Sequence, residues 1–166
     1  MAGGKAARAP REDNPTGAAR GEPPVRLGPL ADFIGFHLRL AQEASFRAFA
    51  QRVGDPKLKP SRFAMLTLIH ENPGITQTAL SRASGRDKST LTAALDDLVQ
   101  RGLVLREKDA GDRRSYRLHL TAKGRRVLAR LTEKAREHDL KLDRIVGPDR
   151  KREFLRLLAR IATELE

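Results

Sequence analysis

Apolar side chains recur with a helical period in the middle of the chain. They begin after Asp87, a residue type that often caps the N-terminus of a helix, and fall at i, i+3, i+4, i+7 and i+8. The apolar positions are Leu91, Ala94, Leu95, Leu98 and Val99, and the opposite face carries Lys88, Ser89, Thr92, Ala93 and Asp96. This pattern predicts a helix with one buried face and an outer face of short polar and charged side chains.

A shorter helix is predicted directly before it, over residues 76–83. Ser84-Gly85-Arg86 then connects the two helices. Gly85 can take the positive φ that a sharp turn between helices requires. Two short helices joined in this way are typical of a helix-turn-helix.

After Gly102 the pattern changes from a helical period to alternation. Residues 103–107 and 115–120 alternate apolar and polar side chains, which predicts two paired, half-buried strands. Ile75 is predicted to add a minimal further strand to the same small sheet. The second long strand is expected to place Tyr116, Leu118 and Leu120 on one face and Arg117 and His119 on the other.

The loop between these strands, residues 108–114, is longer than a tight hairpin requires. It contains Asp112, Arg113 and Arg114. We expect the two arginines to form a basic tip that suits a narrow minor groove, with Asp112 orienting one guanidinium rather than touching DNA itself.

Four longer helices are predicted around this core, over residues 30–53, from residue 60 to about residue 70, 121–142 and 148–164. The first is apolar on more than one face and must therefore be covered on two sides. The last carries an apolar stripe that suits either a dimer seam or an internal packing face, and it consists of Phe154, Leu157, Leu158, Ile161 and Leu165. The predicted fold class is mainly α with a small β-hairpin wing (α+β).

The formal net charge of +12 and the sequence pI of about 11.0 indicate a polyanionic partner. The charge is concentrated over residues 82–130, which hold 13 Lys and Arg side chains against 6 Asp and Glu side chains. With one Tyr, six Phe and no Trp, the chain is poorly supplied for stacking on single-stranded bases. Duplex DNA is therefore the better prediction.

Several function classes are disfavoured. The chain has no cysteine, no P-loop, no G-x-G-x-x-G and no visible nucleophile–base constellation, so we predict neither an enzyme nor a cofactor. The four histidines, His37, His70, His119 and His138, lack metal-ligand spacing, and no metal site is predicted. Because no apolar run approaches the length of a membrane span and no signal peptide is visible, we expect a cytoplasmic protein.

Taken together, these motifs resemble the multiple-antibiotic-resistance regulator (MarR) family of bacterial transcription factors. The resemblance rests on Asp112-Arg113-Arg114, Leu120-Thr121 and Gly124, which follow the segments 87–90 and 101–104, and it extends over residues 30–166. It implies a dimeric winged helix-turn-helix protein, usually a repressor that a small ligand releases from double-stranded DNA. It also favours the dimer seam for the last helix, with the first and the two last helices intertwined.

The domain prediction follows from these elements. Residues 1–27 are expected to form a disordered tail, 57–120 the DNA-binding domain, and 28–56 with 121–166 a helical dimerisation region. The predicted DNA-contacting set comprises Arg86, Lys88, Ser89, Thr90, Thr92, Ala93, Asp112, Arg113 and Arg114. The predicted partner is a pseudo-palindromic operator bound by a homodimer. A nonspecific architectural DNA-binding protein and a basic protein-interaction module remain alternatives.

The effector prediction comes from the family's usual pocket, between the first helix and the winged domain. The expected ligand is a small aromatic acid or its coenzyme A thioester, as in family members that control hydroxycinnamate or benzoate breakdown. The side chains predicted to line the pocket are Phe33, Phe36, His37, Arg39, Arg62, Phe63 and Met65, with Arg39 and Arg62 expected near phosphate or carboxylate groups. For each phenylalanine, a purely structural place in the core is the alternative.

Overall fold

The computed structural model describes residues 25–55, 58–85, 87–108 and 115–165. The chain divides into two units, Met1–Leu38 and Arg39–Glu166. No helix in the described ranges combines the length and the apolar content needed to cross a membrane. Most of the predicted disordered tail lies outside the described residues, so that assignment stays a prediction.

The structure has six α-helices and three short strands in its described residues. The helices are α1 (Ile34–Val53), α2 (Pro60–Glu71), α3 (Gln77–Ser84), α4 (Lys88–Gln100), α5 (Ala122–Val146) and α6 (Pro148–Glu164). The strands are β1 (Ile75–Thr76), β2 (Val104–Lys108) and β3 (Tyr116–Leu120). This mainly helical fold with one small antiparallel sheet confirms the predicted fold class.

Two predicted helix boundaries were wrong. The first helix was expected to begin at residue 30, but a 3-10 helix occupies Gly28–Asp32, and α1 begins at Ile34. The fifth helix was expected to end near residue 142, but it continues to Val146. It stops where Gly147 adopts a φ of +88°, and Pro148 then starts α6 at a position where its missing N–H has no cost.

The sheet has the order β1-β3-β2, and both pairings are antiparallel. Leu118 and Leu120 on the central strand are buried, as the alternation predicts. Tyr116 was expected to share their buried face, but its side chain is 44% exposed. It pairs with Lys108 at the outer end of the hairpin, two residues beyond the buried Leu118.

The core lies between α2, α3, α4, the sheet and the first half of α5. Leu91, Ala94, Leu95 and Leu98 of α4 are buried as predicted, whereas Val99 is only partly buried. Met65 was predicted to contact a ligand, but the structure corrects this assignment. Its side chain is fully buried in the same cluster, which leaves it no surface for a ligand.

The junction between the wing and α5 depends on Thr121 and Gly124. The Thr121 hydroxyl accepts a hydrogen bond from the Gly124 amide at 2.9 Å and donates to the Gly102 carbonyl oxygen at 2.7 Å. A Cβ atom on Gly124 would lie 2.1 Å from the Leu103 carbonyl oxygen. Only glycine therefore lets this helix approach the strand backbone so closely.

Helix α6 packs against α5 without a buried side chain anywhere along Pro148–Glu164, a segment that the structure describes in full. Lys151 joins the two helices through Asp143 at 2.7 Å and Asp139 at 2.9 Å. Phe154 and Leu157 of the apolar stripe are 44% and 48% exposed in the single chain. The alternative of an internal packing face therefore does not hold for these two side chains.

Candidate nucleic-acid interface and ligand cavity

The turn between α3 and α4 is built by local hydrogen bonds. Thr76 caps α3 by accepting from the Ala79 amide at 3.2 Å, and Gly85 ends the helix in the left-handed region with φ of +59°. Asp87 caps α4, since its Oδ1 accepts from the Ser89 hydroxyl at 2.6 Å and from the Thr90 amide at 2.8 Å. These bonds hold the pKa of the Asp87 carboxyl far below its usual range, and the bond from Ser89 has the largest effect.

The outer face of α4 presents the polar side chains that the sequence placed there. Lys88, Ser89, Thr90, Thr92 and Ala93 are all exposed. Asp96 is the exception on this face, because its carboxylate pairs with the Arg106 guanidinium of β2 at 2.7 Å. The surface available to a partner is thus the N-terminal half of the helix.

Gln77 of α3 joins this surface. Its side-chain amide donates to the Thr92 hydroxyl at 2.7 Å, and that hydroxyl donates in turn to the Lys88 carbonyl oxygen at 2.7 Å. The Thr92 hydroxyl is therefore held in one orientation, with one oxygen lone pair left to accept a further bond.

A polar cleft of about 240 Å³ brings the starts of α3 and α4 together with the base of the wing. Its lining consists of Thr76, Gln77, Thr78, Lys88, Ser115 and Tyr116. Four predicted contact residues, Arg86, Asp112, Arg113 and Arg114, lie outside the described residues.

A larger cavity of about 590 Å³ lies between α1, α2 and α5 within the second unit. Its lining consists of Phe49, Pro60, Phe63, Thr132, Ala135, Arg136, His138, Asp139 and Leu140. The Phe49 and Phe63 rings of this lining lie 6.0 Å apart between centroids, so they form one aromatic part of the wall.

Of the seven predicted ligand residues, only Phe63 lines this cavity of the second unit. Phe33, Phe36 and His37 belong to the first unit, in which the His37 Nε2–H donates to the Ala31 carbonyl oxygen at 2.8 Å. These three assignments stay predictions.

The two arginines expected beside the ligand have carboxylate partners. Arg39 pairs with Glu43 on α1 at 2.7 Å. The Arg62 Nε atom lies 3.7 Å from the Asp97 carboxylate, so its guanidinium faces α4 rather than the cavity. The arginine among the cavity-lining residues is Arg136, whose guanidinium pairs with Glu133 at 2.8 Å.

His138 is the most enclosed polar residue of the cavity wall. Its residue surface is 8% exposed, and its Nε2 atom lies 2.9 Å from the Ser45 hydroxyl oxygen. The ring meets Phe49 edge-on at 5.9 Å. Burial lowers the pKa of His138, and the Arg52 charge adds to this effect, so the imidazole is neutral near pH 7.

The sequence model of the MarR family matches residues 58–116, a segment that contains α3, α4 and the wing strand β2. The chain is also 37% identical over 113 residues to the putative transcriptional regulatory protein for the hcr operon of Thauera aromatica, and the match covers 68% of each protein. This chain belongs to the MarR family.

Two solved structures resemble this MarR-family regulator along most of its length. The repressor CouR bound to a 23-mer DNA duplex is 37% identical, with 84% of this chain and 99% of that chain covered and a TM-score of 0.76. CouR bound to p-coumaroyl-CoA is 34% identical, with 84% and 98% covered and a TM-score of 0.76. The MarR chain is thus a transcriptional regulator with a winged helix-turn-helix fold.

Sequence patterns missed three features of this MarR structure: Gln77, Tyr116 and the His138–Ser45 pair. Gln77 meets Thr92 across the interhelical turn, and Ser45 lies 93 residues from His138. Hydrophobic periodicity records which face of one element is buried, so it carries no signal for a contact between polar residues of two elements. No group of at least three His, Cys, Asp or Glu residues in the described ranges is arranged to hold a metal ion.

Proposed function

We propose that this regulator is a homodimeric repressor that binds a pseudo-palindromic operator and leaves it when an aromatic acid or its coenzyme A thioester binds. The observation that carries the proposal is the aromatic-walled cavity against α2, the helix whose Arg62 pairs with the recognition helix α4. Similarity to CouR, which has been solved with DNA and with p-coumaroyl-CoA, supports both halves of it.

In this proposal the N-terminal half of α4 enters the major groove. Short side chains and hydroxyl groups let a helix approach base edges closely. The contacting set is Lys88, Ser89, Thr90, Thr92 and Ala93, with Arg86 near a phosphate, Arg113 and Arg114 in the minor groove, and Asp112 orienting an arginine. Gln77 and Tyr116 border the same surface through the polar cleft. In a dimer the two α4 helices should reach successive major grooves, about 34 Å apart.

Ser89→Ala and Thr92→Ala are expected to relax sequence preference, because each removes a hydroxyl from the face proposed to meet bases. The expected loss is about 1–3 kcal/mol of discrimination for each good base contact. The measurement is fluorescence anisotropy with a selected operator and its single-base variants at two salt concentrations.

Two further variants serve as controls for this experiment. Lys88→Ala should weaken all sequences evenly and reduce the salt slope by about 1, as a phosphate contact does. Gln77→Ala keeps the Thr92 hydroxyl but removes the hydrogen bond that orients it. Comparison with Thr92→Ala therefore separates the effect of the hydroxyl itself from the effect of its orientation. Unchanged sequence preference in both hydroxyl variants would contradict direct readout by this face.

The cavity suits an aromatic acyl group. Its volume of about 590 Å³ is in the usual range for small-molecule sites, and its aromatic walls favour a flat ring. Arg136 lines the cavity with a side chain that is 71% exposed, so its charge can meet the phosphate groups of a coenzyme A moiety outside. We assign to Arg136 the role that the sequence suggested for Arg62.

Arg62 supplies a path from the cavity to the DNA-binding helix. In the sequence it lies between Pro60 and Phe63, which both line the cavity. Its guanidinium Nε atom lies 3.7 Å from the Asp97 carboxylate of α4. A ligand that fits better when α2 is displaced shifts the population away from the DNA-competent state. A tenfold loss of operator affinity requires about 1.4 kcal/mol of such coupling.

Titrating aryl-coenzyme A thioesters and free phenolic acids into the protein–operator complex tests this function. We expect release by at least one member of this class at micromolar concentration, measured by anisotropy. In Asp97→Asn, calorimetry should show retained ligand affinity while the ligand-induced loss of operator affinity decreases. If no thioester and no acid releases the DNA, the proposed effector class is wrong.

A further inference from the structure

A buried imidazole nitrogen lies at the ligand cavity without a hydrogen-bond partner. The Nδ1 atom of His138 is shielded from water, and no group in the described part of the chain bonds to it. Native proteins rarely leave a buried polar atom unpaired, because the lost hydrogen bond to water is not replaced. At a cavity of ligand size, the missing partner is naturally a group of the ligand.

The neighbours of this ring restrict what that group can be. Nε2 is engaged by the Ser45 hydroxyl at 2.9 Å, and the Phe49 ring lies perpendicular to the imidazole at 5.9 Å between centroids. The charged groups that act on the ring are Arg52 of α1 and Asp139 and Lys141 of α5. Arg52 is paired with Glu137 at 3.2 Å, and Asp139 with Lys151 at 2.9 Å.

A hydroxyl group is the partner that this arrangement accepts best. A neutral imidazole has one donor and one acceptor nitrogen, and the serine hydroxyl can bond to either form of Nε2. Nδ1 is then a donor or an acceptor, and a ligand hydroxyl, which can both donate and accept, satisfies either form. A carboxylate or carbonyl oxygen satisfies only one form, and an unsubstituted ring satisfies neither.

We propose that His138 is the specificity-determining residue of the cavity and that it recognises a hydroxyl group on the aromatic ring of the effector. The inference rests on the proposed function, since it needs an aromatic acyl ligand in this cavity. His138 lines the cavity while its Nδ1 atom is buried, so in this proposal the ring rotates on binding to bring Nδ1 to the ligand. Ser45 acts through His138, by holding the opposite nitrogen.

The experiment compares ligands that differ only in the ring hydroxyl. Calorimetry measures the affinities of wild type and His138→Phe for p-coumaroyl-CoA against cinnamoyl-CoA, and for 4-hydroxybenzoyl-CoA against benzoyl-CoA. Wild type is expected to bind the hydroxylated member of at least one pair about tenfold more tightly, because a hydrogen-bonding site rejects an analogue that leaves it unpaired. In His138→Phe the affinity ratio should fall to about one while the plain thioester still binds.

The outcomes separate the two proposals. If no thioester binds wild type, the proposed effector class falls and this inference falls with it. If thioesters bind wild type without any preference for a hydroxyl, or if His138→Phe keeps the preference, only the role of His138 is overturned.

A second measurement keeps the test independent of the variant's folding. In ¹⁵N-histidine-labelled wild type, the Nδ1 resonance of His138 should move with the preferred hydroxylated thioester and stay in place with its plain analogue. An equal response to both would contradict the hydrogen bond.

Discussion

Replacing Gly124 by alanine is expected to destabilise the protein by about 3 kcal/mol, at the upper end of the cost of overpacking. The new Cβ atom would lie 2.1 Å from the Leu103 carbonyl oxygen and 3.0 Å from its carbonyl carbon. Because both atoms belong to the backbone, no side-chain rotation relieves the clash, and α5 must move away from the wing. That movement would strain the hydrogen bonds that Thr121 makes to this segment.

Urea unfolding followed by circular dichroism measures this loss. Gly35→Ala is the matched control, since this glycine lies in α1 and an added Cβ meets nothing within 4 Å. The control should be neutral or stabilising by up to about 1 kcal/mol, the usual advantage of alanine in a helix. Equal unfolding midpoints for Gly124→Ala and wild type would show that the close approach of α5 to Leu103 does not constrain position 124.

Phe154→Glu is expected to convert the proposed dimer to a monomer and to lower operator affinity at least 100-fold. The Phe154 side chain is 44% exposed in the single chain, so glutamate costs the isolated fold little. In a dimer seam the same change buries an unpaired carboxylate in each protomer. Losing simultaneous binding to two half-sites removes an avidity gain of about 10²–10⁴.

Light scattering with size-exclusion chromatography decides the oligomeric state, with wild type expected at twice the chain mass of 18.5 kDa. Ala159→Glu is the control, because it adds the same charge to an exposed position away from the stripe. A dimeric Phe154→Glu that binds operator like wild type would remove α6 from the dimer interface. A wild type that remains a monomer at micromolar concentration would overturn the dimer itself.

Predictions from the sequence succeeded where the interactions are local. Asp87 caps α4 as predicted, through a hydrogen bond from the Thr90 amide three residues ahead, so the capping residue and its partner lie within one turn. The buried face of α4 follows from the helical period alone. The wing strands were predicted within one residue at each boundary, because alternation and the turn at Gly102 both mark them.

Predictions of burial and contact failed where a second element decides. Tyr116 has the alternation of a core residue, but it lies at the outer end of the hairpin and borders the polar cleft rather than the core. Phe63 and Met65 are two residues apart on α2, yet Met65 is buried in the core and Phe63 lines the cavity. Their difference depends on which element packs against each side of the helix.

The sequence by itself therefore determined the order of the elements, the Asp87 cap of α4, the winged helix-turn-helix and the exposed face of α4. These features depend on interactions within a few residues and on the period of apolar side chains. Only the tertiary structure decided that Arg62 faces Asp97, that Gln77 holds Thr92 and that His138 meets Ser45 beside a cavity. Such pairings depend on how helices pack in space, and no local pattern in the chain encodes that packing.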